Sequence, residues 1–225
     1  MTINFLKTFY YKNYSVFKET RTFLDAYIIY KYLNFEPSIK NFLEIGCYKG
    51  SILSLVVEVS NTQQNILIDP VMRRIKKTLP EDMFANTTLI ENKSDNVNWN
   101  TFPKFDLINV DGTLIQPAPS NDMKNCLKIA HENSLILLNQ WWREGMNKSR
   151  KILKTNGWTP WLKLDQCEWY SKKPLMPFIN DLINTGEITN FARIYKGSED
   201  DDCLWRISAP KALYDNVRLI EDYIK

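Results

Sequence analysis

Hydrophobic residues recur along this chain with two periods, and the switches between them mark out its elements. Phe23, Tyr27, Ile28 and Tyr32 fall at the spacing of one helix face, and the segment leads through Pro37 into "NFLEI", a strand-like run. After a turn from Gly46 to Gly50, "SILSLVVEV" has the length of a helix buried over much of its surface, although its β-branched residues would also suit a strand. "NILID" follows as a second strand, ending in Asp69 and stopped by Pro70. "RRIKKTL" reads as a short basic helix, "TTLIE" as a third strand, "FDLINVDG" as a fourth and "SLILLNQ" as a fifth. Between the last two, "SNDMKNCLKIAHEN" carries helical spacing at Met123, Leu127 and Ala130.

Strands that alternate with helices and are apolar throughout their cores belong in a parallel sheet covered on both faces, so the predicted class is α/β. From Trp158 onward the pattern changes, to "WTPWLKLDQCEWY", a helix around "LMPFINDLINTG", two strand-like runs, "NFARIYKG" and "DCLWRIS", and a last helix, "LYDNVRLIEDYI". No internal repeat and no long linker interrupts it. A chain of 225 residues accommodates one well-buried domain. The expected organisation is a single unit, with a helical extension over 1–40, a core over 41–158 and additions over 159–225.

Composition narrows function mainly by exclusion. A net charge of +3 is too small to argue for a nucleic-acid partner. Cys47, Cys126, Cys167 and Cys203 are scattered, and one histidine cannot complete a Cys/His cluster, which points to a reducing cytoplasm and no structural zinc. Charged residues break up the first 33 positions, so neither a signal-peptide core nor a membrane span is expected there. The acidic run from Glu199 to Asp202 reads as a solvated hairpin turn, and His131, placed on the helix before the fifth strand, as a structural or surface residue.

The turn after the first strand carries the chemistry. A strand passing through glycines into a helix places backbone N–H groups and the positive end of a helix dipole at the carboxyl edge of the sheet, where open α/β sheets bind ligands. A dinucleotide loop needs GxGxxG; here the pattern is Glu44-x-Gly46-x-x-x-Gly50, and Tyr48 stands where the middle glycine would let a pyrophosphate approach. A nicotinamide enzyme is therefore disfavoured.

"LEIGCYKGS" resembles the cofactor loop of the class I S-adenosylmethionine-dependent methyltransferases, and three further features arrive in that family's order, over roughly 20–158. The resemblance implies a Rossmann-like, doubly wound, mostly parallel seven-stranded sheet with helices on both faces and an antiparallel C-terminal strand. It implies S-adenosyl-L-methionine as cofactor, with Glu44, Gly46, Cys47, Tyr48, Gly50 and Ser51 around its methionine end. Asp69 matches the acid that grips both ribose hydroxyls, Ser94 and Asp95 the loop touching adenine, and Asp111 the position beneath the transferring methyl.

Within that superfamily the pattern is nearest to the macrocin and catechol types of O-methyltransferase, which implies transfer to a hydroxyl of a small molecule or sugar. Those relatives bind magnesium with an acidic pair after the fifth strand. Here Asn139 and Gln140 stand in its place, and Leu114 stands near the place of a common histidine, so magnesium should be weakly held or absent. The resemblance makes Asp111 the polar anchor or general base, with Asn139 and Gln140 orienting the acceptor, or all three around a loosely held cation.

Plainer roles stand beside these. Gly46 and Gly50 suit any tight strand-to-helix turn, Asp69 any turn before proline, and Asp111-Gly112 is a common turn dipeptide. Trp141 and Trp142 could stack on an acceptor or cover the sheet edge, while Arg143, Lys148 and Arg150 would suit an anionic acceptor. A protein that binds the cofactor without catalysis and one that keeps only the fold both remain open, as does a homo-oligomer.

Overall fold

The computed structural model describes residues 23–140, 143–164, 166–185, 191–193 and 205–207. Helix α1 (Phe23–Phe35) leads into β1 (Asn41–Ile45), and the chain continues through α2 (Ser51–Val59), β2 (Gln64–Ile68), α3 (Arg73–Thr78) and β3 (Thr87–Ile90). It then forms β4 (Phe105–Val110), α4 (Ala118–Ile129), β5 (Ala130–Asn139) and α5 (Asn147–Thr155). Two strands, β6 (Thr159–Lys163) and β7 (Cys167–Ser171), precede α6 (Met176–Asn184) and the short β8 (Phe191–Arg193) and β9 (Trp205–Ile207).

The strands form one sheet in the order β3-β2-β1-β4-β5-β7-β6-β9-β8. All pairings from β3 to β5 are parallel, whereas β7 runs antiparallel to both β5 and β6. The expected doubly wound, seven-stranded core with an antiparallel C-terminal strand is present, and β9 and β8 extend it by two.

Period-two alternation sends successive side chains of each strand to opposite faces. On β1, Phe42 joins a core with α1, α2 and α6, and Leu43 joins the opposite core under α4 and α5. Leu107 and Ile108 of β4, and Leu137 and Leu138 of β5, divide in the same way. Burial on both faces is why these strands read as continuous apolar runs. Among the described residues no helix is long and apolar enough to cross a membrane.

Three differences from the sequence expectations have physical causes. The sixth and seventh strands of the core come from "TPWLK" and "CEWYS", while the two C-terminal runs supply the outer pair β8 and β9. Pro160 and the buried polar residues Lys163 and Glu168 disguise these strands, yet Pro160 sits beside a register irregularity where a ladder tolerates it. His131 is on β5 rather than on a helix, because Phe105 pairs back to Ala130 and draws the strand start toward the helix end. It meets Asp106 Oδ1 at 2.9 Å, far from the carboxyl edge. The last helix and the acidic run at 199–202 lie outside the described residues.

Candidate functional site

The site is built where β1, β2, β4 and β5 end side by side. β1 ends at Ile45, and the chain turns through Gly46 and Gly50, both at φ +79°, with Tyr48 at φ +44°. Gly46 has no room for a side chain: a Cβ there would come within 2.6 Å of the Asp111 carbonyl carbon and 2.8 Å of Gly112 Cα. The ends of β1 and β4 are thereby held together, and Asp111 N–H donates to Ile45 O at 2.8 Å.

Gly50 caps α2 without any side-chain hydrogen bond, so the first turn of that helix is open to an outside acceptor. A Cβ on Gly50 would meet Ile75 and Leu79 instead, so this glycine serves helix packing. Ser51 begins α2 and is buried. Cys47 turns inward, its Sγ 3.9 Å from Met72 Sδ, and takes part in the turn through its backbone. Burial first, then the Glu44 and Asp69 carboxylates, push its thiol well above the ordinary value, so it stays protonated.

Asp69, after β2, accepts Tyr48 N–H at 3.2 Å through Oδ2 and Val71 N–H at 2.8 Å through Oδ1. The carboxylate therefore braces the glycine turn while standing at its mouth, and each oxygen keeps a lone pair for a further donor. Tyr48 is partly exposed, with Arg74 5.2 Å from its ring centre. After β3, Ser94 and Asp95 lie on a single 3-10 turn; Asp95 Oδ1 accepts Asn121 Nδ2 at 3.0 Å.

The three candidates at β4 and β5 separate into two environments. Gln140, at φ +52°, turns its side chain to Asp111, with Nε2 donating to Oδ1 at 3.2 Å. Asn139 points into the sheet's buried face, its Nδ2 donating to Asn109 Oδ1 at 2.7 Å and to Val110 O at 3.1 Å. Asn109 in turn donates to Glu44 Oε1 at 2.7 Å. Glu44, Asn109 and Asn139 thus form one buried polar chain across β1, β4 and β5, directly beneath the edge that carries Gly46 and Asp111.

Several residues that position the site were not picked out from the sequence. Asn109 is one. Asp25 of α1 accepts Gln166 N–H at 3.1 Å and Cys167 N–H at 3.0 Å, and Gln166 O accepts Gln140 N–H at 2.7 Å, so a helix before β1 secures the turn that presents Gln140. An acid between the apolar positions Phe23 and Tyr27 was the available signal. Asp122 of α4 is 2% exposed, its Oδ1 is buried without a hydrogen-bond partner among the described residues, and its Oδ2 would lie 3.3 Å from a Cβ on Gly112. Burial, with the nearby Asp95 charge adding to it, raises its carboxyl to about 6, while the neighbouring Ser94 opposes the shift.

Arg150 does not serve an anionic acceptor. Its Nε and Nη2 donate to Glu168 at 3.0 and 3.2 Å, and Tyr170 OH donates to the same carboxylate at 2.5 Å. Burial alone would lower the Arg150 pKa, but the Glu168 charge and hydrogen bonds raise it overall. Arg143 and Lys148 are exposed, and Trp141 and Trp142 lie outside the described residues. Among the described residues no group of three or more His, Cys, Asp or Glu side chains is gathered as a metal site.

No protein-family model matches the chain, and no curated protein matches its sequence. Solved structures do match. A methyltransferase of Podospora anserina, PaMTH1, solved with SAH bound, superposes with a TM-score of 0.53 at 17% identity, over 77% of this chain and 89% of that one. The precorrin-6y C5,15-methyltransferase of Geobacter metallireducens gives 0.51 at 14% identity, over 62% and 73%. A cofactor-bound protein of MTB, Rv0187, gives 0.52 at 12% identity, over 68% and 82%. With the strand order and the reversed β7, these likenesses show that this chain has the Rossmann-like fold of the class I S-adenosylmethionine-dependent methyltransferases.

Proposed function

We propose that the protein is an S-adenosylmethionine-dependent methyltransferase acting on a hydroxyl of a small molecule or sugar. The observation that carries this reading is the convergence, at one edge of the sheet, of the left-handed Gly46–Gly50 turn, the uncapped start of α2, the Asp69 carboxylate and the Asp111–Gln140 pair. The residues fit the cofactor: a carboxylate with lone pairs to spare suits a ribose diol, and the first turn of α2 suits a carboxylate group.

Bound S-adenosylmethionine supplies a methyl group already activated on a sulfonium. The chain must then align the acceptor and take its proton. Asp111, held by Gln140 at the end of β4, is placed to receive that proton, and Gln140 fixes the carboxylate's rotamer. Asn139 supports this edge from below through Val110 O and Asn109.

Calorimetric titration with S-adenosylmethionine tests the binding half of the reading, and transfer of labelled methyl to metabolite extracts tests the catalytic half. A cofactor-binding protein without catalysis is the second reading, favoured by the turning of Asn139 into the buried chain. Tight binding with no labelled product would select it, and failure to bind would remove both.

A further inference from the structure

At the opposite edge of the sheet, a cavity of about 180 Å³ lies among the end of α1, the start of β4, the end of β7 and the start of α6. Asp106, which lines it, begins β4 and is separated from Asp111 by the length of that strand, roughly 17 Å at 3.3 Å per residue. Neither the glycine turn nor any residue assigned to the proposed reaction reaches it.

Part of its lining is aromatic. Tyr32 and Phe178 pack edge to face at 5.1 Å, and Phe35 tilts against Phe178 at 5.4 Å. The polar part is acidic. Asp106 is held rigidly, its Oδ2 accepting Lys40 and Asn41 N–H at 2.8 Å each and its Oδ1 meeting His131. Glu36 Oε1 accepts the Ser38 hydroxyl at 2.5 Å.

Tyr32, only 7% exposed, lines the same cavity as Glu36 and Asp106, and no hydrogen bond to its hydroxyl is made among the described residues. Burial first, then the Glu36 and Asp106 charges, push that hydroxyl well above its ordinary pKa, so it keeps its proton. A protonated phenol on the wall of a cavity can donate to one group and accept from another.

We propose that this cavity binds a small organic ammonium ion with an apolar body about the size of benzene. A dry cavity of about 150 Å³ takes a benzene ring, so this space suits a ring with a short aminomethyl arm. The ammonium can donate to Glu36, Asp106 and the Tyr32 oxygen, and aromatic faces attract cations further. Anions are opposed by the two carboxylates. Lys173 is the one cation lining the cavity among the described residues; it is exposed, on a long stem, and would compete with the ligand from the rim.

Benzylammonium titrated into the full chain, followed by calorimetry and by amide shift changes, tests the site. Benzylammonium should bind at least tenfold more tightly than benzyl alcohol. Glu36→Gln should weaken it about tenfold, Tyr32→Phe several-fold, and Lys173→Met should tighten it several-fold. If neither the wild type nor Lys173→Met binds benzylammonium at millimolar concentration, the cavity is a water-filled packing gap and the proposal is overturned. It is equally overturned if benzyl alcohol binds as well as the amine, or if Glu36→Gln binds as tightly as the wild type.

Discussion

Between β3 and β5 every strand meets neighbours running in its own direction, and each sends apolar side chains alternately into the cores above and below. Beyond β5 the pairing reverses, and two adjacent residues of β7 meet buried charge: Glu168 accepts from both Arg150 and Tyr170, and Cys167 donates its N–H to the buried Asp25 carboxylate. The parallel half buries apolar side chains on both faces, carries a turn with three left-handed residues, and keeps the buried polar chain Glu44–Asn109–Asn139 beneath that turn. The mixed half places a buried ion pair within its sheet, and its contribution to the site is indirect: it holds Gln140 through Gln166. Substitutions in the two halves should therefore fail differently, one in ligand affinity and the other in stability.

The largest effect is expected at Gly46. Valine there combines a left-handed backbone penalty of about 1–2 kcal/mol with overpacking of about 1–3 kcal/mol against Asp111 and Gly112, so Gly46→Val should abolish S-adenosylmethionine binding in calorimetry. Normal affinity in that variant would sink the placement of the site.

Glu168→Leu probes the other half. It removes the buried carboxylate that Arg150 and Tyr170 share, which should destabilise the fold by about 3–5 kcal/mol in urea unfolding, while cofactor affinity of the folded fraction stays within about twofold. A large loss of affinity at unchanged stability would show that the two halves are not separable in this way.

Asp69→Ala removes a charged acceptor from the mouth of the turn. The expected loss is about 2–4 kcal/mol of binding free energy, or tens- to hundreds-fold, and unchanged affinity would reduce Asp69 to a brace for Tyr48 and Val71.

Asp122 gives a pH signature inside the parallel half. With its folded pKa raised from 3.8 to about 6, its favourable contribution is complete below 3.8 and is lost as the pH rises through about 6. Asp122→Asn should therefore stabilise the protein at pH 7 by about 1–3 kcal/mol and change it little near pH 4, in denaturant melts at the two values. Equal effects at both would show that the carboxyl is not held neutral by the fold.

The smallest effect distinguishes Gln140 from Asn139. Gln140→Asp places a second acid against Asp111 and should raise magnesium affinity measurably, whereas Asn139→Asp sets an acceptor against Asn109 Oδ1 and Val110 O and should mainly lower stability, by about 1–3 kcal/mol. Magnesium binding gained by Asn139→Asp instead would show that residue turning out of the sheet. In the wild type, methyl transfer should survive chelator.

The five parallel strands and their helices were legible because apolar runs long enough for strands alternate with segments of helical spacing, and double-sided burial makes that pattern strong. The glycine turn, Asp69 and Asp111 were legible for a related reason: in an open α/β sheet the chain order of strand ends is also an order in space. β6 and β7 were not legible, since Pro160, Lys163 and Glu168 break the apolar pattern and are tolerated only through a register irregularity and partners on other elements.

The sequence by itself thus determined the class of fold and which residue types stand at the carboxyl edge of its sheet, where the cofactor is proposed to bind. Only the tertiary structure decided how they are used. β5 ends at Asn139 and the chain turns off it at Gln140, φ +52°, so of these neighbours one enters a buried chain with Asn109 and Glu44 and the other meets Asp111. Asp25, Asp122 and Glu36 acquire roles only from residues brought to them by packing, and no spacing along the chain encodes such encounters, because they form between elements and not within them.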